Sequence, residues 1–392
     1  MKNIPYGRHY IDEDDIAAVA DVLRHGWVTQ GPKIKEFETA FAKYVGAEYA
    51  VAVSNGTAAL HIACAAADVK AGDTVVTSPN TFVASANCAV YVGGSADFSD
   101  IDPVTLNLDP VKLAARCKGI KNLRAIIPVH FGGLPCDMPA IAKVAQRHGA
   151  LVIEDAAHAL GAVYPDGSKV GCCKNSAMTI FSFHPVKILT TGEGGMITTN
   201  DSALYRRLLR LRSHGINKLD DPLQDTANAY TDGEINSWYY EMQELGFNYR
   251  MTDIQAALGL SQFGKIERFL ARRKELARRY DTAWKNHPRV RPAQPGTRDE
   301  SALHLYVVRI DFAAAGITRH AFIKALKGIG ITTQVHYIPA HLQPFYRQRG
   351  FTPGQFPVAE DYYRECLSIP LYYGLTDDEQ SFVIESMKQL LK

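Results

Sequence analysis

The stretch FSFHPVKILTTGEGGMITTN (residues 181–200) contains a single lysine, Lys187, between two β-prone runs. The first run extends from Ala177 to Phe183 and stops at Pro185, because proline lacks the N–H group that a strand uses for pairing. A glycine-rich segment then leads into the second run. A surface lysine in a hairpin loop and a lysine held as a nucleophile for a carbonyl cofactor both fit this pattern, so the surrounding sequence has to decide.

Short apolar runs alternate with helical patterns on the amino-terminal side of this stretch. The predicted strands are YAVAV (49–53), DTVVTS (73–78), RAIIPVH (124–130), ALVIED (150–155) and SAMTIFSF (176–183). Such alternation predicts an α/β domain with a mainly parallel sheet. Ligands of these sheets bind beyond the carboxyl ends of the strands. Ser54, Asp155 and Ser182 all lie at such ends.

The flanking regions predict further elements. A helix is expected from Asp12 to His25, and Pro32 suits the first turn of the next helix. A charged helix over 265–285 and a proline-rich connection over 286–300 lead into a small α+β unit. That unit is predicted to contain strand HLYVVRI (304–310), helix TRHAFIKALKGIG (318–330), strand ITTQVHYI (331–338) and two closing helices. We therefore predict a large domain over residues 1–264, followed by a connecting helix and a small domain over 265–392.

Composition narrows the class of protein. The chain of 392 residues has 43 basic and 41 acidic side chains, a net charge of +2, and no long run of one sign. This balance does not favour nucleic acid or an anionic membrane as the main partner. We expect a cytoplasmic protein, since we see neither a signal-peptide pattern nor an apolar run of about 20 residues. The seven cysteines form no C-x-x-C pair, so we expect reduced thiols and no metal site.

The segment SNGTAAL (54–60) lies where the first predicted strand meets a helix. A helix that starts at a glycine-containing turn presents free N–H groups and a positive dipole end, which together bind phosphate. The same residues also make an ordinary helix cap. Neither G-x-x-x-x-G-K-[ST] nor a G-x-G-x-x-G after the first strand occurs, so a P-loop NTPase and a Rossmann dehydrogenase are both disfavoured.

Two further segments supply ring-binding groups. VIEDAAHALG (152–161) ends a strand at Asp155, whose carboxylate can hold a protonated pyridine nitrogen; a helix-capping aspartate is the alternative. In TFVASA (81–86), Phe82 can stack on a flat heteroaromatic ring, although a core phenylalanine fits as well. Lys187 comes 32 residues after Asp155, one strand further along. Phosphate seat, stacking ring, carboxylate and amine together describe a site for pyridoxal 5′-phosphate.

The chain resembles the DegT/DnrJ/EryC1/StrS family of sugar aminotransferases. The resemblance covers about residues 4–390 and is carried by GWVTQGP (26–32), SNGTAAL, TFVAS, EDAAHALG, FSFHPVK…TTGEGG and LGFNYRMTDIQAALG (245–259). It implies the pyridoxal-phosphate-dependent transferase fold type I, as in aspartate aminotransferase. It also implies an enzyme, a nucleotide-sugar aminotransferase. Transamination is favoured because the family members that act as dehydratases carry histidine where this chain keeps Lys187.

The resemblance assigns roles to individual residues. Lys187 would bind the cofactor aldehyde covalently and shuttle protons, with Asp155 on the pyridinium nitrogen and Phe82 on the ring face. His158 would lie near the phenolic oxygen. Gly56, Thr57 and Ser182 would bind the phosphate, and Asn248 would reach the phosphate of a neighbouring subunit in a homodimer. The implied residues of the sugar-nucleotide pocket are Tyr6, Gly26, Trp27, Val28, Thr29, His336 and Tyr337.

The likeness extends to the substrate class. VHYIPAHLQPFY (335–346) and IPYGRHYIDEDDI (4–16) are most similar to family members that aminate a UDP-linked 4-keto-6-deoxy-N-acetylhexosamine in pseudaminic acid biosynthesis, with L-glutamate as amino donor. Two alternatives stay open. The chain could aminate another nucleotide-linked keto-sugar, dTDP-linked or with a C3 ketone, or it could be a non-catalytic regulatory protein that binds pyridoxal phosphate. A metal site at His336 and His341 is not expected, because no acidic or thiol residue lies near them in sequence.

Overall fold

The computed structural model describes residues 3–218, 221–297 and 299–391. Its helices are α1 (Glu13–His25), α2 (Pro32–Val45), α3 (Gly56–Ala66), α4 (Ala84–Tyr91), α5 (Pro110–Cys117), α6 (Met138–Arg147), α7 (Ser202–Arg212), α8 (Asp253–Phe263), α9 (Ile266–Trp284), α10 (Arg319–Gly328), α11 (Pro344–Arg347), α12 (Pro357–Glu365) and α13 (Asp377–Leu390). Its strands are β1 (Tyr49–Val53), β2 (Thr74–Thr77), β3 (Ser95–Phe98), β4 (Leu123–Ile127), β5 (Leu151–Asp155), β6 (Met178–Ser182), β7 (Gly195–Thr199), β8 (Ile216–Asn217), β9 (Tyr230–Thr231), β10 (Glu234–Ile235), β11 (Glu241–Met242), β12 (Val290–Pro292), β13 (Tyr306–Ile310) and β14 (Cys366–Ile369).

The large sheet has seven strands in the order β1-β7-β6-β5-β4-β2-β3. Only β7 is antiparallel to both of its neighbours, and the remaining six strands run in one direction. The predicted mainly parallel sheet is confirmed. The reversal of β7 has a direct consequence, since the stretch quoted above joins two antiparallel neighbours, β6 and β7, at the carboxyl end of β6.

The helix ends follow local sequence signals. Asp12 caps α1 in a reciprocal arrangement with Asp15, and α2 begins at Pro32, whose missing N–H costs nothing in a first turn. The Asn55 side chain caps α3 by accepting a hydrogen bond from the N–H of Ala58. This cap places the first residues of α3 directly after β1, at the carboxyl edge of the sheet.

A second core lies on the carboxyl-terminal side. The antiparallel sheet β12-β13-β14 packs with buried side chains of α9, α10 and α13, among them Trp284, Phe322 and Val383. Ile4 from the amino-terminal arm joins this core, and its backbone pairs with Gly330 and Thr332. The smaller α+β unit predicted from the sequence is therefore present. The predicted boundary between residues 264 and 265 stays a prediction.

Some predicted elements differ from the structure. The segment ITTQVHYI (331–338) is not a strand, because it pairs only at single positions, Ile331 with Ile4 and Gln334 with Ser368. Its residues 334–338 line a cavity instead. The predicted connection over 286–300 contains β12. The elements β3, α5, α7, β8 to β11, α8 and β14 were not predicted.

The described residues contain neither a membrane-spanning helix nor a metal-binding cluster. No helix there is long and apolar enough to cross a bilayer. The same residues contain no group of three or more His, Cys, Asp or Glu side chains that could hold a metal ion. All seven cysteines are free thiols. The cytoplasmic location stays a prediction.

Candidate active site

A cavity of about 890 Å³ lies at the carboxyl ends of the parallel strands, beside segment 334–343. It is in the range of small-molecule and cofactor sites, roughly 300–1,000 Å³. Its walls come from the start of α3, the start of α4, the end of β5 and the β6–β7 connection. The parallel sheet therefore places this cavity where α/β proteins bind ligands.

The first turn of α3 forms one end of the cavity. Gly56 and Thr57 precede the capped amide of Ala58, so their N–H groups have no partner within the helix. A Cβ atom at Gly56 would lie 3.0 Å from Cβ and 3.3 Å from Oγ of Ser182. The missing side chain thus lets the helix end approach the Ser182 hydroxyl. Three potential donors converge there, as a phosphate requires.

Asp155 ends β5 and is buried on the cavity wall. Its Oδ2 accepts a hydrogen bond from Ser85 Oγ at 2.6 Å, and its Oδ1 accepts one from the N–H of Ala157 at 3.1 Å. Ser85 is in turn 2.7 Å from the Thr81 hydroxyl. These contacts fix the direction of the carboxylate. Sequence reasoning missed Ser85, although it lies within the quoted TFVASA segment.

Lys187 lies in the β6–β7 connection, where its backbone N–H bonds to the carbonyl of His184. The side chain lines the cavity, and the residue is half-buried. Burial lowers the pKa of the Lys187 amine to about 8, while the Asp155 carboxylate acts in the opposite direction. Lys187 is therefore both a lysine in a hairpin connection and an amine held inside a pocket.

Phe82 is 59% exposed within one chain, and its ring lines the cavity 6.4 Å from the ring of Tyr337. A large apolar side chain this exposed is available to stack on a flat ligand. The core phenylalanine weighed as the alternative is excluded by this exposure.

Three buried imidazoles face the Lys187 region. Burial lowers the pKa of His158 and His304 well below the ordinary value and that of His336 to about 3, with the Lys187 charge acting in the same direction. His336 is held by the Ser368 hydroxyl at 2.7 Å, and its ring lies 5.5 Å from that of Tyr6. Sequence reasoning missed His304, because it enters from the second core and no local pattern marks it.

The structure does not bring every predicted residue to this cavity. Tyr6, His336 and Tyr337 line it, whereas Gly26, Trp27, Val28, Thr29 and Asn248 do not line the cavity of their own chain. The side chains of Trp27 and Val28 are exposed, and Asn248 pairs with Ser213. Tyr249, the neighbour of Asn248, does line the cavity, and the sequence did not suggest it.

The side chains present fit pyridoxal 5′-phosphate. The phosphate cradle, formed by Gly56, Thr57 and Ser182, depends on glycine at position 56, because a Cβ atom there would lie 3.0 Å from Ser182 Cβ. The oriented carboxylate of Asp155, the exposed ring of Phe82 and the amine of Lys187, with its lowered pKa, line the same cavity. Fold and site together define a pyridoxal-phosphate-dependent transferase of fold type I.

The DegT/DnrJ/EryC1/StrS aminotransferase family model matches residues 9–388, and the chain belongs to this family. It is 42% identical over 393 residues to the spore coat polysaccharide biosynthesis protein SpsC of Bacillus subtilis, covering 99% of this chain and 97% of that protein. Among solved structures it is similar to Helicobacter pylori PseC, an aminotransferase involved in the biosynthesis of pseudoaminic acid. That match has a TM-score of 0.89 and 28% identity, and covers 100% of this chain and 99% of that one.

The pyridoxal-phosphate form of the putative sugar aminotransferase Spr1654 from Streptococcus pneumoniae is also similar. Its TM-score is 0.87 at 30% identity, and the match covers 99% of this chain and 98% of that one. The predicted family, fold class and cofactor are confirmed. The protein is a sugar aminotransferase that uses pyridoxal phosphate.

Proposed function

We propose that the protein transfers an amino group from L-glutamate to the C4 ketone of a UDP-linked 4-keto-6-deoxy-N-acetylhexosamine, a step in pseudaminic acid biosynthesis. The product would be UDP-4-amino-4,6-dideoxy-N-acetyl-β-L-altrosamine. The observation that carries the chemistry is the Lys187 amine, whose pKa burial lowers to about 8, in the same cavity as the oriented Asp155 carboxylate. The fold similarity to Helicobacter pylori PseC supports the substrate class.

Each residue of the cavity has a proposed task. When bound, pyridoxal phosphate supplies an aldehyde that accepts amines and a ring that withdraws electrons from the carbon being deprotonated. Asp155 would hold the ring nitrogen protonated, and Phe82 would cover the ring face. Gly56, Thr57 and Ser182 would bind the phosphate.

Lys187 would move the protons. An amine with a pKa of about 8 is partly neutral near pH 7, so it can take a proton from the α-carbon of glutamate and later return one. The same side chain would repeat these transfers in reverse on the sugar. A positioned acid–base group of this kind contributes about 10²–10⁴-fold in rate.

The cavity wall formed by Tyr6 and segment 334–343 would bind the sugar nucleotide. Tyr6 and His336 form an aromatic pair there, Tyr337 follows in sequence, and the 47% exposed Ile338 adds apolar surface. Burial holds the pKa of His336 at about 3, so this wall binds through hydrogen bonds and ring contacts rather than through charge.

The remaining predicted residues would act in a homodimer. Exposed apolar side chains cluster along residues 230–245, including Trp238 (73%) and Leu245 (77%), and Trp27 is 71% exposed. Patches of this kind mark interaction sites. A second copy covering them would allow Asn248 to reach the neighbouring phosphate and Gly26–Thr29 to reach a sugar-nucleotide pocket.

Borohydride reduction tests the role of Lys187. Reduction of the yellow protein and peptide mapping should place the cofactor on the peptide that contains Lys187. Lys187→Ala should fold and bind pyridoxamine phosphate, yet turn over at least about 10²-fold more slowly. Turnover of that variant at the normal rate, without an added amine, contradicts the proposal.

A substrate panel tests the sugar. Purified protein would be assayed with glutamate and UDP- or dTDP-linked sugars that carry a C4 or C3 ketone. We expect the UDP-linked 4-keto-6-deoxy-N-acetylhexosamine to give the highest kcat/KM. A clear preference for another keto-sugar would instead establish the second candidate, which the 42% identity to a spore coat polysaccharide protein favours. Failure of glutamate to bleach the yellow colour would point to a binding protein.

Subunit mixing tests the shared site. Lys187→Ala and Asn248→Ala are each expected to be nearly inactive. A mixed dimer would combine Lys187 of one chain with Asn248 of the other in one intact site. Random mixing should therefore restore about a quarter of the normal activity. If each chain builds its site alone, mixing restores none.

A further inference from the structure

The turn Phe131–Gly133, which the proposed function does not use, controls the orientation of His158. Gly132 has φ of +66°, a conformation that favours glycine, and a Cβ atom there would lie 2.9 Å from Oε1 of Gln294. This bend directs the N–H of Gly132 at Nδ1 of His158, at 3.3 Å. The sequence FGG therefore places a hydrogen-bond donor behind the His158 ring.

That donor determines where His158 carries its proton. A ring nitrogen that accepts a hydrogen bond presents a lone pair, so Nδ1 is unprotonated. Burial, together with the charge of Lys187, lowers the pKa of His158 well below its ordinary value, so the ring is neutral. Its single proton is then on Nε2, which lies 3.1 Å from the hydroxyl of Tyr337. His158 donates this hydrogen bond and Tyr337 accepts it.

Tyr337 is left with a hydrogen to donate. A phenol that accepts one hydrogen bond keeps its own O–H, and burial raises the pKa of Tyr337, so the hydroxyl stays protonated. Among the described residues it has no hydrogen-bond partner besides His158. Tyr337 lines the cavity, where a ligand can supply the missing acceptor.

Packing holds both rings in this arrangement. The planes of His158 and Tyr337 are within 18° of each other, and the ring of Phe131 lies 6.3 and 6.2 Å from their centroids. The ring of His304 packs against His158 at 4.4 Å. The direction of the Tyr337 hydroxyl is thus set before a ligand binds.

We infer that Tyr337 donates a hydrogen bond to an oxygen atom of the bound ligand, and that His158 is a positioning residue that acts through Tyr337. This goes beyond the proposed function, which gives His158 no task, and beyond the family resemblance, which implies that His158 itself lies near the phenolic oxygen of the cofactor. The acceptor is a phenolic or carbonyl oxygen, supplied by the cofactor or by the keto-sugar. The inference depends only on the cavity being the active site, not on which sugar is aminated.

A double-mutant cycle on the full-length protein tests this inference. The variants are Tyr337→Phe, His158→Met and the pair, titrated with pyridoxamine 5′-phosphate by fluorescence and assayed for the KM of the keto-sugar. A neutral hydrogen bond contributes about 0.5–1.5 kcal/mol, so each single change should weaken the affected ligand by about twofold to tenfold. The double variant should be no weaker than Tyr337→Phe alone. A change in the dissociation constant identifies the cofactor oxygen, and a change in KM alone identifies the sugar oxygen.

His158→Gln is the conservative variant. Its amide oxygen can accept from Gly132 and its amide nitrogen can donate to Tyr337, so binding should stay within about twofold of the unmodified protein. Tyr346→Phe is the matched control, because the Tyr346 hydroxyl bonds to Asn87 Oδ1 at 2.7 Å and does not line the cavity. We expect it to change neither constant.

Two results would overturn the inference. If His158→Met still weakens binding in the Tyr337→Phe background, His158 contacts the ligand directly. If Tyr337→Phe changes neither constant, its hydroxyl donates to no ligand. Should His158→Met not fold, His158→Asn, too short to reach both partners, takes its place. Failure on the substrate panel leaves the pyridoxamine phosphate titration interpretable, so the two hypotheses fail separately.

Discussion

Gly56→Ala should weaken cofactor binding and leave the free energy of unfolding nearly unchanged. Gly56 is the first residue of α3, and a Cβ atom there would lie 3.0 Å from Cβ of Ser182. Such a contact is tighter than a relaxed Cβ contact, so the helix end or Ser182 must move by a few tenths of an ångström. Both are proposed phosphate ligands. The substitution therefore disturbs the phosphate cradle without removing any of its donors.

The expected magnitude follows from the bonds at risk. A hydrogen bond to a charged group contributes about 1.5–3 kcal/mol, so weakening one of them raises the dissociation constant of pyridoxal phosphate by about tenfold to a hundredfold. The free energy of unfolding should change little. Alanine is favoured over glycine within a helix by about 0.5–1 kcal/mol, which offsets the cost of the tight contact.

Two measurements on each variant give the comparison. Absorbance titration with pyridoxal phosphate yields the dissociation constant, and urea unfolding of the cofactor-free protein yields the free energy of unfolding. Gly328→Ala is the matched control, since Gly328 ends α10 and an added Cβ atom there would meet no atom within 4 Å. It should leave cofactor affinity unchanged.

One outcome refutes the reasoning. If Gly56→Ala binds pyridoxal phosphate as tightly as the unmodified protein, the first turn of α3 does not hold the phosphate. If affinity and stability fall together, the tight contact disturbs the fold rather than the cradle alone.

Three further predictions concern buried polar groups. The pKa of Lys187 is about 8 in the folded protein, against an ordinary 10.5. Burying the charged amine therefore lowers the free energy of unfolding by about 3 kcal/mol. This loss is fully present below pH 8 and disappears as the pH rises to 10.5. In urea unfolding of cofactor-free protein, Lys187→Met should therefore be more stable by up to about 3 kcal/mol at pH 7, with an advantage that shrinks above pH 8; a constant difference contradicts this. In the same assay, Glu154→Leu should lower the free energy of unfolding by about 3–5 kcal/mol. The substitution removes the acceptor that four buried or half-buried side chains share, namely His130, Tyr164, Ser176 and Thr179. The control Glu275→Ala, at an exposed ion pair, should lower it by under about 1 kcal/mol. Ser85→Ala should weaken cofactor binding by about tenfold, since it removes the 2.6 Å hydrogen bond that orients Asp155. Unchanged affinity in the titration would show that the Asp155 carboxylate does not need this hydrogen bond.

The sequence alone was sufficient for those site residues that lie at strand ends. Asp155, Ser182 and the SNGTAAL turn follow strands whose apolar patterns are clear, and the parallel sheet brings their carboxyl ends to one edge. Residues supplied by the second core were less accessible to this reasoning. His336 and Tyr337 came only from family resemblance, and their segment was mistaken for a strand. His304 was missed, because no local pattern marks a residue whose ring partner, His158, lies 146 positions away.

The order and chemical type of the site residues were determined by the sequence, because each depends on a local signal: a strand end, a helix start, or a glycine where no side chain fits. Only the tertiary structure decided which of these residues share one cavity and which protonation state each of them has there. The pKa of Lys187 depends on burial within walls drawn from distant parts of the chain, and the proton position on His158 depends on a backbone amide 26 residues away. Burial and hydrogen-bond direction arise only when separate segments pack together, so no stretch of sequence specifies them by itself.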